Sequence, residues 1–527
     1  MCGAFWLSLA ALNGQVQGAD PWEAKLDAVF KTQGYEGAHW GLLVVDGKTG
    51  KTVYEKNPDQ LFCPASVTKL FTCASALVDL GPEYRFQTPI VRRGEISSDG
   101  TLKGDLILVA SGDLSFGGRT APDGTLQFKD NDHTYASGHL SGELVDANPL
   151  AGLDHLAKEV LASGVKVVTG DVLVDDRLFE PANSTGSGPS RVSPILINDN
   201  LIDVVITPGA KAGDPATVKL VPETSFVSFD AKVDTTSGEP ASLRVRSVGP
   251  RRFSIRGRLP VGHAPVVKPY EVEEPAAYAR AALIETLQKR GVRINASPLG
   301  DNMAEELPSR AEVKALPKVA QFTSPPLRES IKVILKVSHN LHASTLPLLL
   351  AAHHNQRTLE DGLRREGEAL KSLGVDIDTI SFGGGAGGDR SDLATPRATV
   401  ALLRAMADRS EFSAYKAALP VLGEDGTLSK AVDKNSPARG HAHAKTGTFW
   451  VENGLNGGVV MTSKALAGYM DTASGRPLVF AFFVNEVSVP GEGKISQATT
   501  RAGRLLGSLC EAFYLSDAPE GREPVGK

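Results

Sequence analysis

A multi-domain α/β fold is what the sequence predicts, on three observations: helical periodicity near both ends, a long middle of short β-like runs, and a length beyond what one core usually fills. The chain has 527 residues, 41% hydrophobic and 22% charged, which permits large buried cores and excludes a disordered or wholly membrane-embedded protein. Its 54 glycines and 32 prolines are spread along the chain as turn formers between short strands, so a pure helical bundle is excluded. Lys plus Arg number 56 against 61 Asp plus Glu, a formal net charge of −5. That balance argues against a general nucleic-acid or membrane-surface binder.

The elements follow in order. Residues 4–12 form an uncharged run rich in apolar side chains, and Val16 and Gly18 stand before Ala19 at the spacing of a cleavage site. Residues 1–18 therefore read as an export signal; the basic n-region such signals carry is missing, which leaves an ordinary N-terminal strand or helix as the other reading. Cys2 precedes the run, the wrong order for a lipoprotein site. No later segment approaches ~20 consecutive apolar residues, so no transmembrane anchor is expected. Residues 26–32 predict a short helix, and residues 40–46 and 51–55, flanking Gly47-Lys48-Thr49-Gly50, predict a hairpin. From Ser66, the apolar residues Val67, Leu70, Phe71, Ala74, Leu77 and Val78 recur at three- and four-residue intervals and predict a buried helix.

Between residues 86 and 294 the texture is β-like, in runs such as 106–109, 172–174, 204–206 and 242–248, with helices expected at 153–162 and 275–289. The polar, Gly-rich stretch 116–146 is expected to be a long surface loop. Helical patterns return at 327–354 and 395–406, followed by strands at 465–470 and 478–485 and a final helix at 497–513. This order implies one α/β domain made from both ends of the chain, 22–88 and 300–518, with a β-rich region of two small domains, 89–299, inserted in it.

Three short motifs carry the chemistry. A serine hydroxyl is a weak nucleophile until a base takes its proton, and a lysine three residues later on a helix lies on the same face. Ser66-Val67-Thr68-Lys69 has that spacing, although Ser163/Lys166 and Ser413/Lys416 match it too. Ser338-His339-Asn340 sits at the turn between two helical stretches, where a hydroxyl and a carboxamide two residues apart can face one cleft. Lys445-Thr446-Gly447 precedes strand-like residues; its ammonium and hydroxyl suit a substrate carboxylate, and its glycine lets an extended chain lie close. Lys48-Thr49-Gly50 repeats the triplet, but in a hairpin turn upstream of Ser66.

SxxK, then SxN after 272 residues, then KTG after a further 107, is the motif order of penicillin-recognising serine enzymes. With Pro64-Ala65, the 80–88 run, Gly170-Asp171-Val172, Asp425-Gly426-Thr427-Leu428 and Ala444 to Thr448, the chain from about residue 25 to 515 resembles the D-alanyl-D-alanine carboxypeptidases/endopeptidases of the penicillin-binding protein 4 class, peptidase family S13. The resemblance implies a transpeptidase/β-lactamase-like α/β domain with β-rich domains inserted between SxxK and SxN. It implies no cofactor and no metal, peptidoglycan stem peptides as substrate, β-lactams as inhibitors, and an exported, periplasmic or wall-associated location. Ser66 is then the nucleophile and Lys69 the acylating base, its pKa lowered by burial or by Lys445. Ser338 relays a proton, Asn340 holds the substrate amide, Lys445 and Thr446 hold the terminal carboxylate, Gly447 allows close approach, and the backbone N–H groups of Ser66 and Thr448 form the oxyanion hole, with the Thr448 side chain of little importance. A β-lactamase or esterase of this fold, or an inactive wall-binding relative, are the alternatives.

The chain departs from the family pattern in three places. Ser344 replaces an acid after SxN, the Gly384–Asp389 loop loses hydroxyls and gains glycine flexibility, and the stretch after Thr448 is some ten residues longer. His339 and His342 invite a metal reading, but no HExxH and no carboxylate at matching spacing support it. His441 and His443 read as polar residues on an edge strand. Phe449 and Trp450 read as either cleft wall or strand core. Cys2, Cys63, Cys73 and Cys510 show no CxxC spacing, and a Cys63–Cys73 bridge is left open.

Overall fold

The structure is a computed structural model and describes residues 21–136, 141–489 and 495–517. The expected export signal, with Cys2, lies outside the described residues. At the centre stands an antiparallel sheet with strand order Ala442–Asn453, Gly458–Asp471, Pro477–Asn485, His39–Asp46 and Thr52–Lys56, so the two ends of the chain meet edge to edge. Strand periodicity explains its two buried faces. Leu43, Val45, Ala465, Ala467, Val479, Ala481 and Phe483 face one core, whereas Leu42, Val44, Leu466, Phe480, Phe482 and Val484 face the other. Helix Thr68–Leu80 and the pair Leu327–Val337 and Asn340–His353 pack in the first core. The terminal helices Pro21–Phe30 and Ile495–Tyr514 cover the second. This is the mixed α/β architecture read from the sequence.

The region between the motifs has its own continuous core. Its first sheet contains Gln87–Ile96, Thr101–Val109, Val167–Val168, Arg293–Ile294 and Lys318–Thr323, with Val172–Asp175 beside Thr101–Val109. Lys318–Thr323 hydrogen-bonds to Gln87–Ile96, so residues 318–323 are tied to the insertion's sheet although the sequence suggests the terminal domain for them. Two further three-stranded sheets follow, Thr217–Val221/Leu201–Thr207/Val266–Glu271 and Ser228–Thr236/Arg252–Pro260/Ser242–Gly249.

The stretch expected to be a surface loop turns inward in part: residues 116–119, Leu126 and residues 132–134 are buried, residues 122–124, Asp130 and Asn131 are exposed as expected, and residues 137–140 lie outside the described residues. Leu126 is buried against Val333 and Val337, Leu126 N–H donates to Glu329 at 3.0 Å, and Asp130 accepts from Gly426 N–H at 2.8 Å. A short 3₁₀ turn, His133–Tyr135, is buried at His133 and Thr134. Polarity misled at the buried positions because Arg119, Asp132, His133 and Thr134 are hydrogen-bonded to one another and to Asp199 inside the protein. A second difference is the helix Leu359–Ser372, whose buried side is only Gly362, Glu366 and Leu370; so narrow a stripe leaves little apolar signal.

Candidate active site

The nucleophile candidate sits on a strained turn. Ala65 has φ +46°, outside the regions β-carbon sterics favour, and a 3₁₀ turn, Ala65–Val67, leads directly into helix Thr68–Leu80. Cys63, two residues before Ala65, is pinned to the central sheet: Asn485 Oδ1 accepts from Cys63 N–H at 2.8 Å, and Ser463 Oγ donates to the Cys63 carbonyl at 2.7 Å. Such over-determination holds a strained backbone in place. Cys63 and Cys73 are both free thiols.

Lys69, one helical turn after Ser66, is completely buried. Its Nζ lies 2.9 Å from Ser66 Oγ, 2.7 Å from Asn340 Oδ1 and 2.6 Å from the Ala386 carbonyl. All three partners are neutral. Burial therefore dominates and pulls the lysine down to about 7, against a small upward pull from Cys73 and Asp392. Burial rather than Lys445 accounts for this depression. Lys445 is also completely buried, its Nζ donating to Ser338 Oγ at 2.9 Å and to the Thr446 carbonyl at 2.8 Å. Burial first, and the Lys69 charge second, hold it well below the usual lysine range.

Ser338 closes helix Leu327–Val337 in a left-handed conformation, φ +66°, and helix Asn340–His353 starts two residues later. The turn sends alternate side chains to opposite sides: Ser338 and Asn340 toward Lys445 and Lys69, His339 toward the insertion. Asn340 Nδ2 donates to the Ser187 carbonyl at 2.8 Å, and the Tyr135 hydroxyl donates to the Ser338 carbonyl. Both of these partners come from the insertion. Position 344, where an acid is expected from the family pattern, uses its serine hydroxyl to accept from Thr185 N–H at 3.2 Å.

Two glycines permit the close approaches that assemble the wall. A β-carbon on Gly447 would lie 2.3 Å from the Pro64 carbonyl oxygen, and one on Gly387, at φ +82°, 1.9 Å from the Ala65 carbonyl oxygen. Residues 384–387 are buried, so the glycines of that loop serve packing against the nucleophile turn, where the sequence suggested flexibility.

The result is one open cleft of about 780 Å³, lined by Ser66, Ser338, Asn340, Thr446 and Thr448 from the motifs, by Asp130, Tyr135 and Ser187 from the insertion, and by Ala386 and Gly387. Lys69 and Lys445 lie buried behind it, and Gly447 packs against the nucleophile turn at Pro64. Phe449 and Trp450 also line it, which resolves their two readings in favour of the cleft wall, although Trp450 also packs on the core behind. Every motif residue singled out from the sequence is thus gathered at one place. Not foreseen were Tyr135, Ser187, the Ala386 carbonyl, Thr427, whose hydroxyl accepts from that of Thr446 at 2.8 Å, and Lys464, whose Nζ donates to Thr448 Oγ1 at 2.8 Å. The Thr448 side chain therefore has a cationic partner where only its main chain was expected to matter.

Behind the turn, Asp199, His339 and His342 bring buried ligand atoms within 4.8 Å of one another. The carboxylate comes from a loop in the insertion, invisible to spacing rules. The two rings are stacked 3.7 Å apart with planes 16° from parallel, both Nε2 atoms approach Asp199 Oδ1, His342 at 2.6 Å and His339 at 3.3 Å, and Asp199 Oδ2 is already bonded to Arg119 and His133. The group fits a hydrogen-bonded cluster better than a metal site.

Comparison with known proteins gives the family and the fold. Residues 22–502 match the model of the D-Ala-D-Ala carboxypeptidase 3 (S13) family. The chain is 30% identical over 502 residues to a D-alanyl-D-alanine carboxypeptidase of Actinomadura sp. (strain R39), covering 90% of this chain and 82% of that one. It is 23% identical over 482 residues to D-alanyl-D-alanine carboxypeptidase DacB of Haemophilus influenzae, covering 89% of each. The fold is similar to the crystal structure of penicillin binding protein 4 (dacB) from Haemophilus influenzae, with a TM-score of 0.65, 20% identity, and coverage of 90% of this chain and 96% of that one.

Proposed function

Because the chain belongs to the D-Ala-D-Ala carboxypeptidase 3 (S13) family of serine-type peptidases, we propose that it is an exported DD-peptidase that cleaves the terminal D-Ala-D-Ala bond of peptidoglycan stem peptides through an acyl-enzyme on Ser66, and that penicillins acylate the same hydroxyl. The observation that carries this reading is the Lys69 amine, 2.9 Å from Ser66 Oγ and bonded only to neutral groups. With a pKa near 7, much of it is the free amine at neutral pH. That amine keeps two N–H bonds, to Asn340 and Ala386, and turns its lone pair to the Ser66 hydroxyl.

Ser66 Oγ attacks the carbonyl between the two D-alanines as its proton moves to Lys69. The oxyanion is met by the backbone N–H groups of Ser66 and Thr448, a type of donor worth roughly 2.7–4 kcal/mol each. Ser338, held by Lys445, passes a proton to the departing amine, and the C–N bond breaks to release D-alanine. Water then hydrolyses the ester, returning the Ser66 hydroxyl. Asn340 orients both Lys69 and the substrate amide. The apolar run in residues 1–18 supports export, and among the described residues no helix is long and apolar enough to cross a membrane.

The test is intact-mass measurement after penicillin treatment, with peptide mapping and a parallel assay of D-alanine release. One adduct on Ser66, absent from Ser66→Ala, with loss of D-alanine release in that variant, is the expected result. An adduct elsewhere, or none on folded protein, overturns the reading.

A further inference from the structure

Lys464 is a buried ammonium with no counter-ion among the described residues. It lies on strand Gly458–Asp471, directly opposite Thr448 in the sheet register, and is 6% exposed. Its hydrogen bond is to Thr448 Oγ1 at 2.8 Å, leaving two of its three N–H groups to be satisfied; among the described residues no carboxylate pairs with it. Burying a charge without a partner is costly enough that such groups usually await one.

Its position indicates which one. Lys464 lies where the main cleft meets a side cavity of about 150 Å³, and Thr427, Thr446, Lys464 and Thr499 line both spaces. Three threonine hydroxyls and one ammonium make a donor-rich, cationic corner at the far end of the Lys445-Thr446-Gly447 strand. Lys445 itself faces the other way, committed to Ser338 Oγ and the Thr446 carbonyl. The helix Ile495–Tyr514 closes the corner, and the β-carbon direction of Gly503 points at the Lys464 amine from 3.9 Å.

We propose that Lys464 is the counter-ion for the free carboxylate of the leaving residue, seated between the ammonium and the hydroxyls of Thr446 and Thr448. This rests on the DD-peptidase reading and sharpens it. Lys445 serves proton transfer through Ser338, Lys464 supplies the charge that selects a chain ending in a free acid, and the Thr448 side chain matters because it orients Lys464. The other charged groups around these two spaces are Lys445 on the neighbouring strand and Lys430 on the side-cavity wall, both basic, and Asp130 on the cleft side, whose Oδ1 accepts from Gly426 N–H at 2.8 Å. Burial lowers the ammonium to about 8, so in the free enzyme it loses its charge as pH rises through that value, and a bound carboxylate opposes the loss.

The experiment compares kcat/KM for diacetyl-L-Lys-D-Ala-D-Ala and its C-terminal carboxamide. Wild type is expected to favour the acid by about 10- to 100-fold, the range for a hydrogen bond to a charged partner, and that preference declines as pH rises through about 8. In K464M the preference collapses through a raised KM for the acid with kcat retained, while K464R keeps it. The wild-type pH series needs no variant to fold. A preference that is flat with pH, or unchanged in folded K464M, overturns the proposal. Failure of wild type to form any adduct on Ser66 sinks the DD-peptidase reading itself, a distinguishable result.

Discussion

The tripeptide Ser338-His339-Asn340 divides two buried polar clusters of opposite character. On the cleft side, Lys69 and Lys445 are completely buried and hydrogen-bonded only to hydroxyl, amide and carbonyl groups. On the insertion side, Asp199 accepts from Arg119 at 2.7 Å and is bonded to His133 at 2.9 Å and His342 at 2.6 Å, while Asp132 takes a second arm of Arg119 at 2.7 Å and Asp203 the far side of His133 at 2.9 Å. Burial is the same in both; pairing is not. Burial lowers Lys69 to about 7. It also works against the charged form of His133, but Asp203 and Asp199 outweigh it and carry that ring up to about 10. Against burial again, Arg119 holds Asp199 and Asp132 well below the usual carboxylate range. A buried cation left unpaired becomes a titratable base at working pH, whereas the same burial with partners makes a fixed clamp.

The largest effect should come from the unpaired side. Lys69→Met removes the base and is expected to slow acylation of Ser66 by penicillin by about 10²–10⁴-fold, measured as the rate of adduct formation. Its melting temperature should hold or rise, since an uncompensated buried charge has been removed. In the wild type that rate should climb as pH rises through about 7, where the lysine loses its proton. A variant that acylates normally, or a rate indifferent to pH from 6 to 8, would show that pairing is not what distinguishes the two clusters.

On the paired side the order of effects should invert. Asp199→Asn removes one of the two carboxylates that face Arg119 and one of the two that face His133, leaving Asp132 and Asp203 in place, and is expected to cost stability toward the lower end of about 3–5 kcal/mol, read by denaturant unfolding. The sign with pH follows from the shifts. Asp132 and Asp199 are depressed in the fold, so their contribution is present above the unfolded value near 4 and is lost as pH falls through their folded values. His133 is raised, so its contribution is complete below about 6.5 and is lost as pH rises toward 10. The deficit of the variant should therefore be widest between about pH 4 and 6.5. Acylation should fall only as far as Ser338 and Asn340 are displaced.

The same contrast separates what was legible in the sequence from what was not. Ser66 and Lys69 face each other because one helical turn brings them together, Ser338 and Asn340 because a tight turn does, and central strands such as His39–Asp46 and Pro477–Asn485 show as short apolar runs because both their faces are buried; local rules suffice for each. The paired cluster has no local rule. Arg119, Asp132, His133, Asp199 and Asp203 meet His339 and His342 across long stretches of chain, and the polarity of residues 116–146 pointed to solvent when the partners were inside. Lys464 was equally silent, since a lysine on a strand reads as an exposed residue until the helix above it is seen. The Gly384–Gly387 run pointed to mobility because only the fold shows the carbonyls it must pass.

Tyr135 tests how the clusters communicate. Its hydroxyl donates to the Ser338 carbonyl, from a 3₁₀ turn that also carries His133, so one short segment touches both the clamp and the turn that presents Ser338. Tyr135→Phe keeps the ring in the cleft wall and deletes one hydrogen bond, typically worth about 0.5–1.5 kcal/mol. If that bond only adds stability, the melting temperature drops slightly and kinetics stay as they were. If the clamp positions Ser338 through it, kcat falls several-fold while KM and the pH dependence set by Lys69 hold, because the proton relay to the leaving amine is misaligned and the base is untouched. The second outcome is expected: Ser338 sits in a left-handed conformation at φ +66°, which a non-glycine residue holds only when its surroundings insist on it.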